Sequence, residues 1–317
     1  MRFAVLGAGA TGGFLGACLA GAGFDVTLVA RGTHLEAMRS RGLRVLEPDG
    51  AEFTTHPTCT DDLAPAREAD VAFVTLKAHS LPALAPQLGG SSTLVFAQNG
   101  IPWWYFAGSG RRLESVDPGG RIAASVDLER VVACIAYPAT MLVEPGVVRH
   151  LEGNRFSLAR PDGQRDERVV AISAALTKTG LKAPVQARLR QEIWLKLIGN
   201  ATLNPVSALT RGTLGEILGD PQTRELVRTL MVEVERVAEA VGIRVDIPVE
   251  RRLEGAAQIT EHRTSMLQDV EAGRPLEVEA LVGSVVELGR QLGVPTPALD
   301  VVYRLVRQLD LSAARRT

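Results

Sequence analysis

At 317 residues the chain is long enough for two domains of roughly 100–200 residues each. Hydrophobic residues make up 46% and charged residues 22%, with a formal net charge of −1, so electrostatics point to neither nucleic acid nor an anionic membrane as a partner. The three cysteines, Cys18, Cys59 and Cys134, are far apart and form no C-x-x-C pair. They exclude a disulfide framework and fit a reducing compartment, so a cytoplasmic location is expected. No apolar run reaches the roughly 18 residues that span a bilayer. The opening "MRFAVLGAGATGG" fits a strand and turn better than a signal peptide. The five histidines are isolated from one another, and no metal site is expected.

In chain order, the first half alternates. "RFAVLGAG" reads as a strand, "ATGGFLGACLAGAG" as a small-residue helix, "DVTLVAR" as a strand and "THLEAMRSRG" as a helix. "ADVAFVTLKAH" and "STLVFAQNG" read as two buried strands, with "SLPALAPQLGG" a helix between them. Alternation of this kind predicts right-handed βαβ units around a parallel sheet, and strands apolar on both faces predict a sheet covered on both sides. "RVVACIAYPAT", "GVVRHLE" and "NRFSLAR" are expected at the far side of the same sheet, followed by a helix over "RDERVVAISAALTKTG" that ends at Gly180. From about residue 187 every long segment has helical periodicity, with Gly242 and Gly293 at expected C-caps. The predicted fold is therefore α/β, with domain boundaries at 1–187 and 188–317. A doubly wound sheet is followed by an all-helical C-terminal domain, and the cleft between them is the default ligand site.

"VLGAGATGG" contains G-x-G-x-x-G at Gly7, Gly9 and Gly12. It follows a predicted strand and opens a helix, which is the context a dinucleotide site requires. Gly7 permits the tight turn, Gly9 the close approach of the pyrophosphate, and Gly12 the helix–strand packing. Together with Ala8, Ala10 and Thr11 this loop is the candidate cofactor cradle of a Rossmann-type domain. A merely glycine-rich turn is the plainer alternative. The second strand ends in Ala30–Arg31, where an NAD enzyme usually has an acid for the ribose hydroxyls. An arginine suits the 2′-phosphate of NADP(H), although Arg31 also reads as a surface residue of the turn. Lys77 and Asn99 end two further strands, where ligands of open α/β sheets bind. Each is also an ordinary way to leave a strand.

"EIWLKLIGNATLNPVSAL" carries Lys196, Asn200 and Asn204 at intervals of four, so a helix places them on one face. Two readings stay open: a lysine snorkelling to water over apolar surface, or a polar stripe that meets a substrate. "TSMLQDVEAGRPLEVEAL" adds Ser265 and Gln268, then Glu277 and Glu279, acids that also suit the first turn of a helix. "IPWWYFAG" puts Trp103 and Trp104 either over a cleft, in a subunit contact, or in local packing.

Together these segments resemble the ketopantoate reductase (2-dehydropantoate 2-reductase) family. The resemblance covers essentially the whole chain and rests on "GAGATGG", "TLKAHS", "QNG", "EIWLKLIGNATLNPVSAL", "TSMLQDVEAGRPLEVEAL" and "GVPTP". It implies NADPH-dependent reduction of ketopantoate to pantoate, a step toward pantothenate and coenzyme A, with the substrate between the two domains. By position it implies Lys196 as the catalytic proton donor to the ketone oxygen, Asn200 and Asn204 as substrate amides, and Ser265 as a contact for the substrate carboxylate or hydroxyl. It implies Glu277 as a catalytic-site glutamate near the nicotinamide end that also contacts the cofactor, and Lys77, Asn99 and Ala139 as further cofactor contacts, Asn99 also reaching the reacting centre. Where the best-known members have a further substrate asparagine, this chain has Leu214 beside Thr213.

The chemistry suits these residues. As a hydride reaches a carbonyl carbon, negative charge grows on the oxygen, which needs a nearby cation and finally a proton. A lysine ammonium supplies both, neutral amides add no further charge, and Glu277 holds Lys196 in place. Two alternatives remain: a reductase of a different 2-keto or 3-hydroxy acid, favoured by Leu214, and an NADP-binding sensor without turnover. A homodimer is compatible with the amphipathic helices near the C-terminus.

Overall fold

The computed structural model describes residues 1–315. The chain divides into two compact units, one of Met1–Gln98 with Gly120–Leu189, the other of Asn99–Gly119 with Arg190–Thr317. Residues 99–119 thus pack with the C-terminal helices rather than with the sheet.

In the first unit the chain runs β1 (Arg2–Leu6), α1 (Ala10–Gly21), β2 (Asp25–Val29), α2 (Gly32–Arg41), β3 (Leu43–Leu46), β4 (Glu52–Thr55), β5 (Thr58–Thr60), α3 (Ala64–Glu68), β6 (Val71–Val74), α4 (Leu81–Leu84) and β7 (Thr93–Phe96). After residues 99–119 it continues with α5 (Arg121–Ser125), β8 (Val131–Ala136), β9 (Ala139–Glu144), β10 (Val147–Glu152), β11 (Phe156–Ala159) and α6 (Glu167–Lys178). Seven strands form a sheet in the order β11-β8-β7-β6-β1-β2-β5. It is parallel except for β11, which runs antiparallel to β8. β6 and β7 are buried along their whole length, as strands covered on both faces must be.

Two expectations are corrected here. β9 and β10 do not extend the large sheet. They leave it at Tyr137–Pro138, where the proline cannot donate to a ladder, and join β3 and β4 in a second sheet of order β4-β3-β10-β9. This sheet covers the outer side of α1. A Cβ on Gly13 would lie 3.1 Å from Val148, whereas one on Gly16 would lie 2.3 Å from Leu28 of the large sheet. The small residues of α1 therefore let one helix fit between two sheets. The second correction concerns "SLPALAPQLGG", which forms three short helical turns, at 78–80, 81–84 and 85–87. Pro86 removes a donor and clashes one turn back, which ends the α-helix.

The second unit comprises α7 (Leu189–Thr210), α8 (Leu214–Gly219), α9 (Pro221–Ala240), α10 (Val249–Ala257), α11 (Ser265–Glu271), a π-helical turn at Glu279–Gly283 that runs directly into α12 (Ser284–Leu292), and α13 (Pro297–Ala314). Their ends follow local chemistry. Thr213 and Glu216 form a capping box on α8, Asp220 caps α9 ahead of Pro221, and Gly242 and Gly293 adopt positive φ just after their helices. The first turn of α13 is capped from α9, since the Ala298 and Leu299 amides donate to the buried Glu233 carboxylate at 3.0 and 2.8 Å. No helix among the described residues is long and apolar enough to cross a membrane, and none of them forms a group of three or more metal-binding side chains.

Candidate active site

The glycine loop sits at the end of β1, and its geometry explains each glycine. Gly7 has φ +92, and its amide and that of Ala8 both donate to the Val29 carbonyl at 3.1 Å. A Cβ on Gly12 would lie 2.3 Å from both the Gly7 oxygen and Thr75 Oγ1, so this position admits no side chain while α1 stays against the loop. A Cβ on Gly9 would meet nothing within 4 Å. Gly9 is the N-cap of α1 and no side chain caps that helix end, so the first-turn amides are open to an anion. Beside the loop is a cavity of about 600 Å³, lined by Gly7, Ala8, Gly9, Ala30, Arg31 and His34 among others. An open helix terminus, a glycine floor and an exposed arginine on one cavity fit a dinucleotide with its phosphates on the amides.

His34 was not anticipated from the sequence. Its Nε2 lies 2.6 Å from the Ala8 oxygen, and its Nδ1 accepts from the Gly146 amide at 3.0 Å. Burial pulls its pKa below the ordinary value, opposed by the bond to Ala8. Thr11 Oγ1 lies 3.3 Å from Thr140 Oγ1, which ties the start of α1 to β9. Ala139 opens β9 and is half-buried, and Lys77 is half-buried after β6. Neither lines the cavity that holds the glycines.

The second cluster lies wholly in the helical unit. Lys196 Nζ donates to Asn99 Oδ1 at 2.9 Å, and Asn99 Nδ2 donates to Glu277 Oε2 at 3.1 Å. Because an ammonium only donates and a carboxylate only accepts, the two contacts fix which way the amide faces. Lys196 is half-buried, while Trp194, Leu197, Ile198 and Ala201 on the other faces of α7 are buried. Trp194 Nε1 donates to the Tyr105 hydroxyl at 2.8 Å. Burial pushes that phenol up to about 12, so it stays neutral and anchors the 99–119 segment on α7.

Asn200 follows Lys196 on the same face and is half-buried, and Asn204 is buried at 6% exposure. Among the described residues no protein group hydrogen-bonds either side-chain amide. Ser265 is exposed at the first position of α11, and its hydroxyl likewise has no protein partner. Gln268 instead donates back to the Arg263 carbonyl. Thr213 spends its hydroxyl on the α8 cap, and Leu214 is buried.

The segment bearing Glu277 is held from α13. Asp310 accepts from the Leu276 amide at 2.9 Å, and the Tyr303 hydroxyl lies 3.0 Å from each Glu279 oxygen. The two glutamates of "LEVE" thus part company, Glu277 toward Asn99 and Glu279 toward structure. The π turn that follows presents the Ala280 carbonyl to the Ile101 amide at 3.2 Å and to Ser284 Oγ at 2.7 Å, so the loop carrying Asn99 is docked on it. π turns interrupt α-helices frequently at functional sites.

The family model described as ketopantoate reductase PanE/ApbA matches residues 3–163, and its C-terminal counterpart matches residues 188–310. The chain is 48% identical to a 2-dehydropantoate 2-reductase of Mesorhizobium japonicum, over 98% of each chain, and 31% identical to one of Halobacterium salinarum, over 97% of this chain and 98% of that one. A crystal structure described as a putative ketopantoate reductase from Ralstonia solanacearum superimposes with a TM-score of 0.92 at 39% identity, over 99% of this chain and 98% of the other. With matching models across both halves and relatives alike over their full length, the chain belongs to the ketopantoate reductase family of nicotinamide-dinucleotide oxidoreductases.

Proposed function

We propose that this protein catalyses NADPH-dependent reduction of 2-dehydropantoate to pantoate. The observation that carries the reading is the relay Lys196–Asn99–Glu277, which holds an ammonium beside two amides without protein partners. A bound nicotinamide dinucleotide supplies the hydride. Lys196 points its ammonium at the carbonyl oxygen of the keto acid, stabilises the charge that grows there and delivers the final proton. Asn99 restrains the ammonium through its oxygen, and Glu277 fixes Asn99 through its nitrogen. Asn200 and Asn204 offer amide donors and acceptors to the substrate, and Ser265 a hydroxyl. The glycine loop, Gly7 to Gly12, seats the pyrophosphate on the open first-turn amides of α1, and Arg31 pairs with the 2′-phosphate, which favours NADP(H) over NAD(H). Lys77 and Ala139 belong to the same cofactor set by position.

A second reading is a different 2-keto acid on the same machinery. It is favoured by buried Leu214, which offers no polar group, and by Thr213, whose hydroxyl is committed to a cap. Initial rates of dinucleotide oxidation, measured with ketopantoate and with NADPH or NADH, separate these. Wild type is expected to turn over with NADPH preferred, and Lys196→Ala to lose roughly 10²–10⁴-fold in rate. Inactivity on ketopantoate alongside activity on another 2-keto acid selects the second reading. Equal rates for wild type and Lys196→Ala reject the mechanism.

A further inference from the structure

We propose that His34 is a positioning residue of the dinucleotide site: its neutral imidazole ties the glycine loop to the turn between β9 and β10, and a second ring proton releases it. The proposal rests on the dinucleotide reading of the glycine loop. The tautomer follows from the partners. The Gly146 amide can only donate, so Nδ1 presents its lone pair, and Nε2 carries the hydrogen that the Ala8 carbonyl accepts. The Ala8–Gly9 peptide is then held at both ends, its oxygen by His34 and its nitrogen by the Gly7 carbonyl at 2.7 Å. This peptide lies inside the G-x-G turn, and His34 and Gly9 line the same cavity. The imidazole therefore fixes the peptide that leads directly into the open first-turn amides of α1, on which a pyrophosphate would rest.

The β9–β10 turn is a firm anchor. Gly146 has φ +84, and a Cβ there would lie 3.2 Å from Ala37 of α2. Thr140 meets Thr11, and Val148 packs on Gly13, so the second sheet braces α1 at two further points. A proton on Nδ1 would set its N–H against that of Gly146 and break the brace. The titratable and charged groups on the elements packed here are Arg31, Glu36, Arg39 and Arg41 of the α2 segment, Arg44 of β3, whose amide donates to the Gly146 carbonyl, and Glu144, Arg149, His150 and Glu152 of the β9–β10 hairpin. Arg41 bonds the Pro145 carbonyl, and His150 faces Glu47. The glycine loop and α1 carry no charge, and their one titratable group is Cys18. Burial holds the imidazole below its ordinary pKa, so the brace is closed at neutral pH and opens on acidification.

The test measures dissociation constants of NADPH and NADH from nicotinamide fluorescence between about pH 5 and 8, for wild type, His34→Gln and His34→Ala. NADH lacks the 2′-phosphate and so removes that group's own titration from the comparison. Glutamine keeps a donor for Ala8 and does not titrate. Wild-type affinity for NADH is expected to fall roughly 5–10-fold on acidification, about one hydrogen bond, whereas His34→Gln stays flat and His34→Ala is weak throughout. Hydrogen exchange of the Gly146 amide in the ligand-free protein is a second readout, expected to lose protection in acid and in His34→Ala. Superimposable pH profiles for wild type and His34→Gln, or unchanged Gly146 protection in His34→Ala, overturn the proposal alone. Failure of both dinucleotides to bind wild type at any pH overturns the glycine-loop reading and this proposal with it.

Discussion

Gly100→Ala tests whether the loop carrying Asn99 is positioned by the π turn. Gly100 has φ +87, and a Cβ there would stand 2.1 Å from the Ala280 oxygen and 2.5 Å from its carbonyl carbon. Both are backbone atoms, so the loop must move by about 1 Å to reach ordinary contact. The move breaks the Ile101–Ala280 hydrogen bond, about 1 kcal/mol, and an alanine at positive φ costs roughly 1–2 kcal/mol more. A total of about 2–3 kcal/mol predicts a melting temperature lower by roughly 3–5 °C. The activity effect is larger. Asn99 is the neighbouring residue, and a shift of about 1 Å costs on the order of 10²-fold in rate when it misplaces reacting groups. Steady-state kinetics should show a roughly 10–100-fold fall in kcat. KM for the dinucleotide should stay near wild type, because the glycine loop belongs to the other unit. Ser284→Ala removes the other donor to the Ala280 oxygen without a clash and should leave kcat near wild type. A variant that melts early with kcat intact refutes the claim that Asn99 must be held for Lys196 to work. One that changes in neither respect refutes the close approach itself.

Gly12→Ala forces a methyl against the Gly7 oxygen and Thr75. NADPH affinity, read by titration calorimetry, should fall at least about tenfold, and an unchanged Kd would reject the loop as the cofactor site. Glu233→Ala strips the α13 amides of Ala298 and Leu299 of their buried acceptor. Urea unfolding should register a loss of about 2–4 kcal/mol, and a midpoint equal to wild type would reject this cap. Asp166 caps α6 and is held at a pKa of about 2, chiefly by its hydrogen bond with the Arg168 side chain. A carboxylate depressed in the folded state stabilises above its unfolded pKa and loses that contribution as pH falls through the folded one. Asp166→Asn should therefore be less stable than wild type by up to about 2 kcal/mol near neutral pH, with the gap closing between about pH 4 and 2. A gap that is constant with pH would refute the charge as its source.

Much of the first unit was readable because its signals are local. A strand apolar on both faces, a glycine-rich turn and a helix follow one another within 21 residues, and the wholly buried β6 and β7 repeat the strand signal. The second sheet was not readable in the same way. β3 and β10 lie about a hundred residues apart in sequence and pair in parallel, and the exposure of β9 changes gradually rather than alternating. Nothing in "TMLVE" tells a strand of the large sheet from a strand of another. Pro138 was the available signal, since it forbids a continuous ladder at that point. The broken helix after β6 had a signal too, in Pro86, which removes a backbone donor inside the segment.

The cluster around Lys196 divides along the same line. Lys196, Asn200 and Asn204 share a helix face by a four-residue interval, and any helix gives them that relation. The placement of Asn99 was only half legible. Its position beyond β7 pointed to the cofactor, whereas the structure turns its side chain to Lys196 and Glu277, 97 and 178 residues away. The residue type nevertheless follows from the site. Between an ammonium and a carboxylate, the bridging group must accept at one end and donate at the other. Aspartate has no donor for Glu277, and lysine has no acceptor for Lys196. Glutamine has both but one more methylene to order, at a greater cost in side-chain entropy. An asparagine held by Gly100 at positive φ fits with the least freedom to lose, so two charges distant in sequence decide the identity of a turn residue that local rules could only call ordinary.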